Sequence, residues 1–179
     1  MNRLCLFVVS DRYIEYLKNS FKTIYSKKNE KYQRKYVGVV LEINQFKYYV
    51  PLSSPKPSDY KIVNGKQIIR KSIIPIMRII VKNNKGIDEL KGTLRFSNMI
   101  PVPDSELVKY DIRAEQNPLY KDLVKNQLSF IQKNRDMIKN NAKMLYQQKR
   151  KGNSHVSYVD MSLDFQYLEE LCKLFEEKV

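Results

Sequence analysis

Two serines, a proline and a lysine close the run YYVPLSSPK, residues 48 to 56. The side chains that could do chemistry are Ser53, Ser54 and Lys56. An ammonium group and hydroxyls at this spacing can meet one phosphate. The ammonium stabilises its charge, and the hydroxyls and nearby amides hold its non-bridging oxygens. Pro51 and Pro55 fix the backbone on either side and remove competing donors. The same letters also describe a plain turn. A second group, Tyr32, Arg34, Lys35 and Tyr36, stands at the start of the preceding strand-like run. In a hairpin the start of one strand lies beside the end of its partner, so residues near 35 and near 53 are expected to meet. A basic loop running into a strand is the other reading of Tyr32 to Tyr36.

Other chemistries lack their residues. His155 is the only histidine, and it stands in a basic loop. The chain has no CxxC pair, HExxH, Walker loop or GxGxxG. Its β-like region holds no acidic cluster with metal-ligand spacing, which points away from two-metal nuclease chemistry. No metal site and no cofactor is expected. Lys, Arg, Ser and Tyr remain, and this set can cleave RNA. The 2′-hydroxyl attacks its own phosphate and the 5′-oxygen leaves. The protein takes one proton, gives one and stabilises the phosphorane. DNA lacks the 2′-hydroxyl, so the route is specific to RNA.

Charge points to the same partner. Lys and Arg number 33 against 19 Asp and Glu, a net +14. Residues 160 to 179 carry a local −4, so the rest carries +18. A field of that size attracts polyanions, with nucleic acid first among them. No apolar run approaches the ~18 residues that cross a bilayer, and MNRLCLFVV reads as a first strand, not a signal peptide. Cys5 and Cys172 without metal spacing fit a reduced, cytoplasmic chain.

The elements that must position these residues are legible in outline. Ser10 can cap a helix bearing Tyr13, Ile14, Leu17 and Phe21 at helical spacing. YVGVVLEI and FKYYVPL, joined by Asn44-Gln45, form a hairpin in which Gly38 marks a bulge or a close backbone approach. Residues 57 to 66 read as loop, and the β-branched run broken by Pro75 as strand pieces. GTLRFSNMIPVP reads as a further strand. Pro118 opens a long helix running to about Gln148 and broken at Gly152. A last helix sets Phe165, Leu168, Leu171, Cys172 and Phe175 on one stripe, its acids forming a solvated face. The expected fold is one α+β domain, residues 1–179, with short antiparallel strands in a closed or partly closed barrel and helices around it.

Four blocks in order carry a family likeness: VSDRYIEYLK, YVGVVLEINQFKYYVPLSSPK, SNMIPVP and LYKDLVKNQLSFIQKN. Together they resemble the endoribonuclease toxins of type III toxin–antitoxin systems, the ToxN and AbiQ family. The resemblance implies a compact, twisted β-barrel core of the Kid/MazF kind. It implies metal-independent RNA cleavage to a 2′,3′-cyclic phosphate. It also implies an RNA antitoxin of pseudoknotted tandem repeats, cut from its precursor by the toxin and closed with it into a cyclic toxin–RNA assembly, as well as target mRNA and a role in phage defence. The family's hydroxyl-hydroxyl-Pro-Lys element falls on Ser53, Ser54, Pro55 and Lys56, with Ser where relatives often have Thr. Its basic residue falls on Arg34 or Lys35 and its tyrosine on Tyr32. Tyr13, Tyr36, Tyr120 and Gln127 follow as RNA-contact or packing positions, and Phe130 as core.

Two alternatives stand beside this reading. A non-catalytic basic RNA-binding module explains the charge and the 13 tyrosines, but not the Ser-Ser-Pro-Lys element. A structural interaction protein predicts no salt-dependent RNA affinity.

Overall fold

The computed structural model describes residues 3–24, 33–152 and 155–178. In chain order the elements are β1 (Cys5–Val9), α1 (Asp11–Lys18), β2 (Lys35–Ile43), β3 (Phe46–Ser53), β4 (Tyr60–Val63), β5 (Lys66–Ile69), β6 (Ile76–Lys82), β7 (Asp88–Arg95), β8 (Ile100–Pro101), β9 (Leu107–Lys109), α2 (Pro118–Lys133), α3 (Arg135–Arg150), α4 (Ser157–Asp160) and α5 (Phe165–Glu176). Seven strands form one antiparallel sheet in the order β6-β7-β3-β2-β1-β9, and β8 pairs with β3 off this path. The fold is therefore α+β. The sheet ends at β6 and β9, which share no ladder among the described residues, so the expected barrel is seen only as a sheet with two edges.

β3 is the organising strand. From Phe46 to Pro51 it pairs with β2 on one side, with a register shift between. On the other side Tyr48 and Tyr49 pair with β8, and Leu52 and Ser53 pair with β7. The β2–β3 turn is tight because Asn44 (φ 48) and Gln45 (φ 73) both adopt left-handed backbone. At Gly38 the chain comes so close to the Tyr49 ring that a Cβ would fall among its atoms, and the β2–β3 register shifts between Val37 and Leu41. Gly38 is thus the close approach that its place in a strand suggests.

Two expectations change. Residues 57 to 66 are not a plain loop. A short 3₁₀ turn, Pro57–Asp59, leads into the β4–β5 hairpin, whose turn residues Asn64 (φ 50) and Gly65 (φ 73) form an Asn-Gly pair. The long helix is two helices. Asn134 (φ −108, ψ 15) ends α2 and starts α3, and its side-chain amide donates to the Phe130 carbonyl. An asparagine that bonds its own backbone competes with the helical ladder.

Ser10 caps α1 as expected, accepting from the Tyr13 amide. The α5 stripe from Phe165 to Phe175 is buried in full. Its acid face is only partly solvated: Glu169 accepts from the hydroxyls of Tyr48 (2.7 Å) and Tyr146 (2.9 Å). Tyr48 also donates to the Phe165 carbonyl, so α5 is fastened to the middle of β3. No described helix is long and apolar enough to cross a membrane.

Glu106 ties the start of α1 to the chain before β9. It is 1% exposed and accepts from Ser10 and Arg12. The Arg12 hydrogen bond holds its carboxyl below the usual range, against the upward push of burial. A carboxyl depressed in the folded state adds stability above its unfolded pKa of ~4.3, and that share is lost as pH falls through the folded pKa. Thermal unfolding from about pH 6 down to pH 2 should show this loss in the wild type and a shallower one in Glu106→Gln.

Candidate active site

The hairpin brings its two ends together. Arg34 lies just before β2, and its Nη1 donates to the Ser53 Oγ at 2.9 Å and to the Leu52 carbonyl at 3.2 Å. Side chains alternate along a strand, and Lys35 points elsewhere. Its Nζ lies 4.7 Å from the Tyr110 ring centre and 4.9 Å from that of Tyr120, and donates to the Gln33 carbonyl. Of the two basic residues the sequence leaves open, Arg34 is the one against Ser53. Tyr32 lies outside the described residues.

The two serines differ in surroundings. Ser53 is 4% exposed, at the end of β3 and opposite Thr93 of β7. Ser54 and Pro55 are exposed, and Lys56 is half-buried. The loop then turns back on itself. The Lys56 amide donates to the Asp59 carboxylate (2.9 Å), and the Asp59 amide donates to the Lys56 carbonyl (2.9 Å). The arrangement offers an exposed hydroxyl, a flanking ammonium and a buried hydroxyl held by a guanidinium. These groups can orient a phosphodiester and stabilise charge on it.

Three other singled-out residues are interior. Tyr13 is wholly buried, donates from its hydroxyl to the Pro101 carbonyl and packs edge-on to Phe175. Tyr36 is 3% exposed. Gln127 is 5% exposed and donates to the Lys91 carbonyl, joining α2 to β7. Surface contact is closed to these three as they stand, since each side chain is spent on packing or backbone bonds. Tyr120 is half-buried beside Lys35, Phe130 packs against the core, and His155 is exposed. Among the described residues no group of three or more His, Cys, Asp or Glu could hold a metal.

A groove of about 920 Å³ opens elsewhere on the sheet, over Gly38–Leu41. Phe7 and Tyr49 line it, with Arg3, Lys47, Lys109, Lys139 and Lys143 outnumbering the acids Glu42 and Asp104 around it. The groove was not legible in the sequence, because its cations come from the chain start, β3, β9 and α3 and share no local pattern.

Fold and site define a basic α+β protein that presents hydroxyls and cations at the end of a hairpin. The family model for toxin ToxN of type III toxin–antitoxin systems matches residues 5–173, and the chain belongs to that family. It is 33% identical over 175 residues to the endoribonuclease AbiQ of Lactococcus lactis subsp. lactis, covering 98% of this chain and 91% of the relative. To the endoribonuclease ToxN of Bacillus thuringiensis subsp. kurstaki it is 28% identical over 176 residues, covering 95% and 83%. The fold is similar to that of AbiQ, a lactococcal anti-phage endoribonuclease of the type III system, with TM-score 0.80 and 28% identity over 98% of this chain and 99% of that one. It is also similar to a type III toxin whose structure concerns selective toxin inhibition by a non-coding RNA pseudoknot, with TM-score 0.75 and 26% identity over 98% and 99%.

Proposed function

We propose that this chain, as one domain over residues 1–179, is a metal-independent, sequence-specific endoribonuclease. It cleaves RNA by attack of the 2′-hydroxyl on the adjacent phosphate and leaves a 2′,3′-cyclic phosphate. The observation that carries the reading is the meeting of Arg34 and Ser53 at 2.9 Å, with Ser54 and Lys56 next in the chain. Ser54, exposed, orients the phosphate or handles a proton. Lys56 stabilises the phosphorane. Arg34 holds Ser53 and adds positive charge. Lys35, itself buried, adds charge behind the half-buried rings of Tyr110 and Tyr120, on which a base can stack. The sheet serves as a Kid/MazF-like barrel wall.

The RNA strand beyond the cut lies in the basic groove over Gly38 and is held there by Lys109, Lys139 and Lys143. In the cytoplasm the enzyme cuts target mRNA and its own repeat transcript, whose pseudoknotted product inhibits it within a cyclic toxin–RNA assembly. Release of the enzyme during phage infection stops growth. Family membership and the net charge support this account.

The test is incubation of the protein with mixed RNA in EDTA, alongside DNA and fully 2′-O-methylated RNA of the same sequences. RNA alone should be cut, with a 2′,3′-cyclic phosphate on the upstream fragment. Intact RNA would leave a basic RNA-binding module in place of an enzyme.

A further inference from the structure

Beneath the Ser53–Lys56 loop lies a buried ion cluster that neither the sequence motif nor the proposed mechanism uses. Asp59 is wholly buried. Its Oδ1 lies 3.1 Å from Arg78 Nη2 and its Oδ2 lies 3.6 Å from Arg95 Nη2, with those side chains 5% and 11% exposed. Arg78 is fixed in turn, its Nη1 donating to the Lys71 carbonyl (2.7 Å) and its amide to the Ser72 hydroxyl (2.8 Å). Register sets Ser53 opposite Thr93 and Thr93 opposite Arg78, so the three stand side by side across β3, β7 and β6. The carboxylate that binds both arginines also accepts the Lys56 amide at 2.9 Å.

Stability alone gives little reason for this cluster. Burying three charges costs desolvation that their attraction repays only with full hydrogen bonding, and apolar residues of similar volume are often neutral or better. Here Arg95 Nε and Nη2 and Arg78 Nε are buried without a hydrogen-bond partner among the described residues. What the cluster does supply is direction. It fixes the backbone of Lys56 to β6 and β7 at one point, beside Ser53.

We infer that Asp59, with Arg78 and Arg95, is the positioning brace of the active site, setting the Lys56 backbone against Ser53 and Ser54. The inference rests on the site proposed above. Asp59 touches no substrate and acts through Lys56. Misplacing a reacting group by about 1 Å can cost about 100-fold in rate.

Single-turnover cleavage at saturating RNA tests the brace in two variants. Asp59→Asn keeps an acceptor for the Lys56 amide and removes the charge. The triple variant Asp59→Leu, Arg78→Met, Arg95→Met replaces the ions by apolar side chains, so that the fold survives. Melting temperature and RNA affinity are measured alongside. Asp88→Asn, an exposed carboxylate paired with Lys82, is the control for the charge change. The triple variant should melt near the wild type, bind RNA, and cleave about 100-fold more slowly. Asp59→Asn should also be slowed, and Asp88→Asn should not. A folded triple variant cleaving at the wild-type rate would overturn the brace. That outcome is distinct from failure of the site, in which the wild type leaves RNA intact or Lys56→Ala cleaves like the wild type.

Discussion

Lys56→Ala is expected to slow RNA cleavage by about 1000-fold, the upper end of what loss of one preorganised charge-stabilising group costs. Binding should suffer far less. Removing one phosphate-contacting lysine weakens affinity evenly across sequences and lowers the salt slope by about 1. The defect therefore belongs in the rate at saturating RNA. Ser54→Ala should follow the same pattern with about a 100-fold loss. Its hydroxyl is exposed beside the loop, and its removal opens no cavity. Ser53→Ala is a different perturbation, because it takes away the hydroxyl that Arg34 holds at 2.9 Å. Lys66→Ala, on the exposed β4–β5 hairpin, serves as control. The measurement is single-turnover cleavage with salt-dependent RNA binding in parallel. Wild-type cleavage by Lys56→Ala would remove Lys56 from the mechanism.

Gly38→Ala is expected to destabilise the fold by about 3 kcal/mol, the upper range for forcing extra atoms into a packed core. For a chain of this size that is a melting temperature lower by roughly 6–12 °C. The added Cβ falls among the ring atoms of Tyr49. Tyr49 is 2% exposed and sits edge-on to Phe7, with ring centres 5.3 Å apart, so the ring yields only by disturbing that packing. A double-mutant cycle with Tyr49→Leu isolates the clash: the cost of the alanine should shrink when the ring is absent. Equal cost in both backgrounds would assign the loss to the backbone at Gly38.

The sequence and the structure agree most closely where the signal is local. Asn44-Gln45 marks the hairpin, the hairpin pairs Tyr36 with Pro51, and Arg34 thereby meets Ser53. Ser10 and Asn117 cap helices by side-chain acceptors, as their residue types lead one to expect. What lay hidden depends on distant partners. Asp59, Arg78 and Arg95 stand far apart in the sequence, and nothing in a linear pattern reveals that they will meet in the interior. Lys35 and Arg34 are neighbours of the same charge, and only strand alternation sends one to Tyr110 and Tyr120 and the other to Ser53. Asn134 breaks the long helix without disturbing its apolar periodicity, because Ile131 and Ile138 keep their spacing across it and both stay buried. The β4–β5 hairpin reads as loop in the sequence, because its exposed strands carry no alternation to a core and only the Asn64-Gly65 turn marks it.

The fastening of α5 to β3 bears on how the chain is made. Tyr48 in β3 donates to the Phe165 carbonyl and to Glu169, and Tyr16 in α1 donates to the Leu171 carbonyl. On a translating ribosome these partners emerge more than a hundred residues after the strand that needs them, several seconds later at ~5–20 residues per second. Until then Ser53, Ser54 and Lys56 stand on a hairpin with its central tyrosine unsealed. The hairpin that carries Ser53, Ser54 and Lys56 therefore gains the partners of its central tyrosine only once α5 has been made.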